Sequence, residues 1–177
     1  MIIVGIDPGI TGAIVFFDPV ALTLDARDMP ILSLGKKGKH KVDAAALSDL
    51  LAPGMPLSSI EHCYIEQVGA MPKQSAASMF NFGHSAGIVT GVVATLHLPH
   101  TFLVPQRWRK AAGVGEGKDA SRSRARNLFP AYRDLFKRVK DHGRADAALI
   151  AFAGWWLSQH EAPKSLTAIP PCDTLKE

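Results

Sequence analysis

The chain has 177 residues, 47% of them hydrophobic and 20% charged, which suits one ordinary globular domain with a core of its own. Aromatics at 7%, with Gly 15 and Pro 12, exclude a disordered or fibrous chain. The net charge of +4 is uneven: residues 104–144 carry twelve Lys/Arg against four Asp/Glu, a local +8 that leaves the rest at −4, so one part of the chain is suited to an anion.

The first thirty residues read as a three-stranded meander: an apolar run at 2–7, a Pro8-Gly9 turn, a strand at 12–17, an Asp18-Pro19 turn and a strand at 22–29. Residues 35–41 (GKKGKHK) are expected to be a mobile basic loop, either a DNA contact or merely solubilising. Helical spacing of Ala45, Leu47, Leu50 and Leu51 follows at 42–51, with Asp43 as the expected cap. A short β-rich run at 62–67 ends in Glu66, and a long apolar helix pattern occupies 74–98. A strand at 101–104 stops at Pro105, which suits the start of a basic helix at 106–112. Glycines 113, 115 and 117 connect it to a second basic helix at 119–128, and a last helix is expected at 143–160. Strands that first meander and then alternate with helices predict a mixed sheet with helices on its faces, α/β or α+β.

Several classes drop out. The longest apolar stretch, 85–98, is interrupted by Gly87, Thr90, Gly91, Thr95 and His97 and is too short to cross a bilayer. No basic segment leads into an apolar stretch and cleavage site at the start, so an intracellular location is expected. Cys63 and Cys172 belong to no CxxC or Cys/His cluster, which argues against disulfides and structural zinc.

Three acids stand where apolar residues belong. Asp7 ends a buried-looking strand before a forced turn, Glu66 closes Cys63-Tyr64-Ile65, and Asp146 lies among Ala145, Ala147 and Ala148. Each alone has an ordinary explanation as a turn residue, a strand end or a first-turn helix acid. Together they suggest a metal site, because carboxylates in apolar settings are costly unless paired or bound to a cation. Oxygen-only ligands suit Mg²⁺ or Mn²⁺.

Four segments carry a resemblance: GIDPGITG at 5–12, IEQV at 65–68 with MFNFG at 79–83, VPQRWRKAAG at 104–113 and GRADAALIA at 143–151. In order and spacing they resemble the RuvC-like Holliday junction resolvases of the phage and prophage type, within the RNase H-like superfamily. Sugar kinases and actin-like ATPases share the opening Gly-Ile-Asp turn but need two such domains, which 177 residues do not supply. The resemblance implies an α/β, RNase H-like mixed five-stranded sheet flanked by helices over 1–162, with an irregular tail at 163–177. It also implies a metal-dependent endonuclease that nicks four-way DNA junctions symmetrically as a homodimer and leaves 5′ phosphates. Asp7, Glu66 and Asp146 match three members of the family's acidic tetrad, holding two Mg²⁺ ions for which Mn²⁺ would substitute. The expected setting is the cytoplasm of a bacterium or phage-infected cell. Two rivals remain: a nuclease of this fold acting on other branched DNA, and a catalytically silent junction-binding protein.

The fourth tetrad member departs from the pattern. The family usually has Asp, sometimes His, three or four residues before the final Asp, where this chain has Gly143 and His142. His142 and Asp146 share a helical face at i, i+4 if the helix already includes both; Asp141 reaches the site only if the chain there is not yet helical. His142 is the candidate and Asp141 the alternative, with helix capping by either as the plain reading.

For DNA phosphates the candidates are Lys73, Arg107, Lys110, Lys118 and Arg122, with Arg109 nearby. Trp108 either stacks on a base or is buried, locking its helix. Where the family often has an aromatic that probes the opened junction, residues 69–73 offer Met71. Gly83, Gly87 and Gly91 make a smooth stripe on the long helix, which suits a symmetric partner.

Overall fold

Strand Ile2–Asp7 (β1) turns sharply after its carboxylate, the Gly12 amide donating to the Gly9 carbonyl at 2.9 Å, and Ala13–Asp18 (β2) returns antiparallel with Ala13 opposite Asp7. Thr23–Asp28 (β3) continues the meander, with Asp28 opposite Ala13. The computed structural model describes residues 1–35, 39–52, 59–69 and 75–161. The expectations placed on Lys73, Met71, residues 36–38, Cys172 and the 163–177 tail fall outside them.

The loop expected at 35–41 is in part a strand. Ile31–Leu34 (β4) pairs antiparallel with Lys39–Val42 (β5), forming a two-stranded ribbon separate from the main sheet. Asp43 then caps Ala44–Leu51 (α1), its Oδ1 accepting from the Ala46 amide at 3.1 Å, as expected.

Ile60–Glu66 (β6) lies parallel to β1, and His100–Leu103 (β7) lies parallel to β6. The strand order is β3-β2-β1-β6-β7, a mixed five-stranded sheet as expected. Between β6 and β7 runs Ala76–Thr95 (α2); after them come Pro105–Ala112 (α3), Ala120–Leu128 (α4) and His142–His160 (α5). Tight 3-10 turns at Pro130–Phe136 and Val139–Asp141 fill the gap before α5.

The sheet has a core on each face. Alternation along β1 sends Ile3 to one side, where it joins α5 residues such as Ala147, Ala151 and Leu157, and sends Val4 and Ile6 to the other, with Leu47, Val89 and Val93 of α1 and α2. Gly5 is required by the first packing: a Cβ there would lie 2.1 Å from the Ala147 carbonyl oxygen, so only glycine lets α5 approach β1 this closely. The alanine-rich inner face of α5 completes that approach and brings Asp146 down onto the end of β1.

Candidate metal centre and active site

Three carboxylates converge at one end of the sheet because the register leaves them little choice. Ile6 of β1 is opposite Ile65 of the parallel strand β6, so the next residue on each is an acid, Asp7 and Glu66. Two-residue alternation puts Asp7 on the same face as Gly5, and Glu66 on the same face as Tyr64. That is the face α5 covers, and Asp146 sits in its first turns.

Burial raises all three carboxyls, and for Asp7 and Glu66 a neighbouring acid adds to it. Burial, and then the charge of Asp146, push the Asp7 carboxyl up to about 7, although the Gly9 amide donates to its Oδ1 at 3.3 Å. Burial and the Asp7 charge likewise push Glu66 up to about 7, with Asp146 adding to the effect and Trp108 and Arg109 opposing it. Asp146 is raised by burial, opposed by the Ser121 hydroxyl, the Arg109 guanidinium and His142. Its Oδ1 is buried and accepts no hydrogen bond among the described residues.

Clustered, desolvated acids of this kind fit a divalent cation, which would replace lost hydration and reverse their mutual repulsion. The donors are all oxygens, the chemistry of Mg²⁺ or Mn²⁺. Among the described residues no three His, Cys, Asp or Glu side chains close into a ready-made metal cage. The fit rests on the shared burial and on the orphaned Asp146 oxygen.

The two residues considered for the fourth position are placed differently. Asp141 is only 2% exposed, and its carboxylate is taken by Arg138, whose backbone amide donates at 2.7 Å and whose guanidinium donates at 2.8 Å to the other oxygen. It closes a capping box before α5, the plain capping alternative. His142 begins α5 one turn before Asp146, is exposed, and makes a 3.4 Å contact from Nδ1 to the Val139 carbonyl. Position 143 admits no side chain at all: a Cβ on Gly143 would lie 2.3 Å from the Thr11 carbonyl oxygen and 2.8 Å from the Gly12 Cα. The tight seating of α5 on the β1–β2 turn therefore excludes an acid at 143.

Trp108 is buried at 1% exposure, not free to stack on a base, and its indole N–H donates to Glu66 Oε1 at 3.0 Å. The helix α3 thus orients one of the three acids. Arg109, beside it, donates to Ser121 Oγ at 3.2 Å and to the Gly115 carbonyl at 3.3 Å, tying the glycine-rich connector to the start of α4. Neither role was visible in the sequence; the one signal was an aromatic inside an otherwise basic helix.

The expected phosphate contacts divide. Lys110 and Lys118 are exposed and make no ion pair among the described residues. Arg107 pairs with Glu161, and Arg122 pairs with Asp119 while donating to the Lys137 carbonyl at 2.8 Å, so both are already engaged within the protein. Arg124, donating to the Ala112 carbonyl at 2.6 Å, likewise serves the end of α3. Among the described residues no helix is long and apolar enough to cross a membrane.

No protein-family model matches the chain. The structure is similar to that of Thermus thermophilus RuvC in complex with a Holliday junction substrate, with a TM-score of 0.60, covering 90% of this chain and 95% of that one at 17% identity. A second Thermus thermophilus RuvC structure gives 0.56 over 90% and 96%, at 19% identity. The chain has the RuvC fold. Among curated proteins it is 33% identical over 121 residues to the chloroplastic Holliday junction resolvase MOC1 of Chlamydomonas reinhardtii. That match spans 64% of this chain and 13% of the relative. The RNase H-like architecture inferred from the four sequence segments is therefore the one observed.

Proposed function

We propose that this protein is a metal-dependent, structure-selective DNA endonuclease that resolves four-way junctions by paired symmetric nicks, leaving 5′ phosphates. The observation that carries the reading is the meeting of Asp7, Glu66 and Asp146 from three separate elements, with two of them pushed up to about 7. The similarity to resolvases in both sequence and fold supports it.

In this reading Asp7, Glu66 and Asp146 hold Mg²⁺, two ions per site, with Mn²⁺ able to substitute. When bound, such ions activate a water for in-line attack and stabilise the leaving 3′ oxygen. The chain's own part is to fix the acids. Trp108 holds Glu66 in one orientation, the Gly9 amide holds Asp7, and burial makes each carboxylate favour a cation over solvent. His142 is the fourth member of the set, since Asp141 is committed to Arg138. Lys110 and Lys118 contact backbone phosphates, and Lys73 is assigned the same role.

The active form is proposed to be a homodimer, because two nicks placed symmetrically need two centres. On α2, open space lies beyond Gly83, Gly87 and Gly91, and Phe80 is 71% exposed. The cytoplasm of a bacterium or phage-infected cell is its proposed setting.

The test sets wild type and Asp7→Asn on a labelled immobile four-way junction and on the matching linear duplex, with Mg²⁺, Mn²⁺ or EDTA. Paired nicks on the junction alone, metal-dependent and lost in the variant, are expected. Binding without cleavage in either metal would instead identify a silent junction-binding protein. Equal cutting of all DNA would remove the selectivity, and a monomeric mass by light scattering at micromolar concentration would remove the dimer.

A further inference from the structure

The ribbon of β4 and β5 is not part of the main sheet or of either core, apart from its last residue. All four residues of β4 are exposed, Ile31, Leu32 and Leu34 among them, and of the described side chains of β5 His40 and Lys41 are exposed and Val42 is buried. A lone two-stranded ribbon is marginally stable in water, so one that exposes three large aliphatic residues calls for a partner.

Its position says where that partner lies. Asp7, Ala13 and Asp28 stand in one row across the sheet, which places Asp28 about 10 Å from Asp7, two strand spacings away. The chain leaves the sheet there: the Met29 amide donates to the Gly12 carbonyl at 3.0 Å, and the Asp43 amide to the Pro30 carbonyl at 2.9 Å. Ile31 starts the ribbon three residues beyond Asp28, at most about 10 Å further. The ribbon therefore rises from the same end of the sheet as the three acids, rooted by Val42 in the core of the opposite face, with α1 and α2.

Its chemistry says what the partner is. Residues 35–41 contain four lysines and a histidine and no acid. The register sets Lys41 opposite Leu32 and Lys39 opposite Leu34, while Ser33 meets His40 on the other face, at 3.3 Å. One face of the ribbon thus combines the exposed Lys41 with Leu32 and Leu34. A two-stranded ribbon fits the major groove of DNA, where cations meet phosphates and aliphatic groups meet sugars and thymine methyls. A second copy pairing through β5 is disfavoured as occupant, since that would bring like-charged lysines together.

We propose that the β4–β5 ribbon is a second DNA-gripping element, which takes hold of a duplex arm of the substrate beside the active site. The proposal rests on the nuclease reading for its substrate, but not for its test. The measurement is equilibrium binding of a labelled long-armed junction, a short-armed junction and a plain duplex across a fourfold range of salt. It is made in EDTA in the Asp7→Asn background, so that nothing is cut, with and without Lys39→Gln/Lys41→Gln.

Two lost phosphate contacts lower the slope of log affinity against log salt by about 2, so the parent loses about tenfold more affinity than the variant over that range. This is expected on the long-armed junction and the duplex, and less on the short-armed junction; Lys41→Glu moves further in the same direction. Equal slopes with and without the lysines overturn the ribbon. So does a variant whose mass falls to that of one chain, since the ribbon would then join two copies. If the parent binds junction and duplex alike, junction selectivity fails while the ribbon is still read from the slope. If it binds no DNA, both proposals fall.

Discussion

Replacing Asp7 by Asn should stabilise the metal-free protein, and by an amount that grows with pH. The Asp7 carboxyl is moved from 3.8 to about 7 by burial and by Asp146, so folding binds a proton that the unfolded chain has released. The direction follows from linkage. Below the unfolded value both states are protonated and nothing is lost; as pH rises towards 7, the folded state must either hold its proton or ionise in a buried site, and stability falls. At about 1.4 kcal/mol per pH unit, the full loss is about 4 kcal/mol once the pH exceeds 7. Asparagine keeps the shape and still accepts from the Gly9 amide, but it never ionises. The variant should therefore match wild type within about 1 kcal/mol at pH 4 and exceed it by about 4 kcal/mol at pH 8, which is about 8–16 °C in melting temperature for a chain of this size. Urea unfolding in EDTA at pH 4, 6 and 8 reads the gap. Saturating Mg²⁺ should narrow it, because at a hundred times its dissociation constant a ligand adds about 2.7 kcal/mol to the state that binds it. A gap that does not change with pH, or a variant less stable than wild type throughout, would refute the claim that Asp7 sits desolvated beside a second acid.

Three further substitutions probe the same architecture. Trp108→Phe keeps most of the buried ring but removes the N–H that donates to Glu66, so the Glu66 carboxyl should rise further and the rising limb of the cleavage pH–rate profile should move to higher pH, with about 1–3 kcal/mol lost in stability. Gly143→Asp, which would write the family's usual acid into the chain, should destabilise by more than about 2 kcal/mol and cleave no faster than wild type, because its Cβ would strike the Thr11 carbonyl; circular-dichroism melts and junction cleavage together check this. Arg138→Ala removes the half-exposed guanidinium from the Asp141 carboxylate but keeps the backbone amide that donates to it, so a loss of about 1–2 kcal/mol is expected in chemical denaturation above pH 5, shrinking as Asp141 is protonated.

The order of the main-sheet elements was legible because turns and periodicity are local. Pro8-Gly9, Asp18-Pro19 and Pro105 each stand where a strand stops, and Asp43 caps the helix it precedes. The β4–β5 ribbon was missed for a reason that is also local. Glycines in the basic run read as a loop, whereas Ile31–Leu34 and Lys39–Val42 flanking them are a hairpin signal, obscured because the lysines made the second arm look like a solvated segment. What no local pattern carries is the commitment of individual charges. Arg122 and Arg107 look like phosphate ligands until the fold supplies Asp119, the Lys137 carbonyl and Glu161 from elsewhere in the chain.

The fourth position shows how a family pattern and a packing constraint combine. Taken as a word, GRADAALIA keeps Asp146 but lacks the second acid three residues before it, which leaves His142 as the candidate and Asp141 as the alternative. The packing separates the two. Seating α5 against Gly5 and against the Thr11-Gly12 turn brings Asp146 down beside Asp7, but the same closeness leaves no room for a Cβ at 143. The 3-10 turn that leads into α5 needs its capping box, and Asp141 supplies it through Arg138. His142 is left at the helix start, exposed and one turn from Asp146, with its charge already felt there. A helix packed this tightly against its sheet therefore accounts for the missing acid at 143. If His142 completes the set, His142→Asp should retain metal-dependent cleavage where His142→Ala loses it; equal activity in all three proteins would show that three carboxylates suffice.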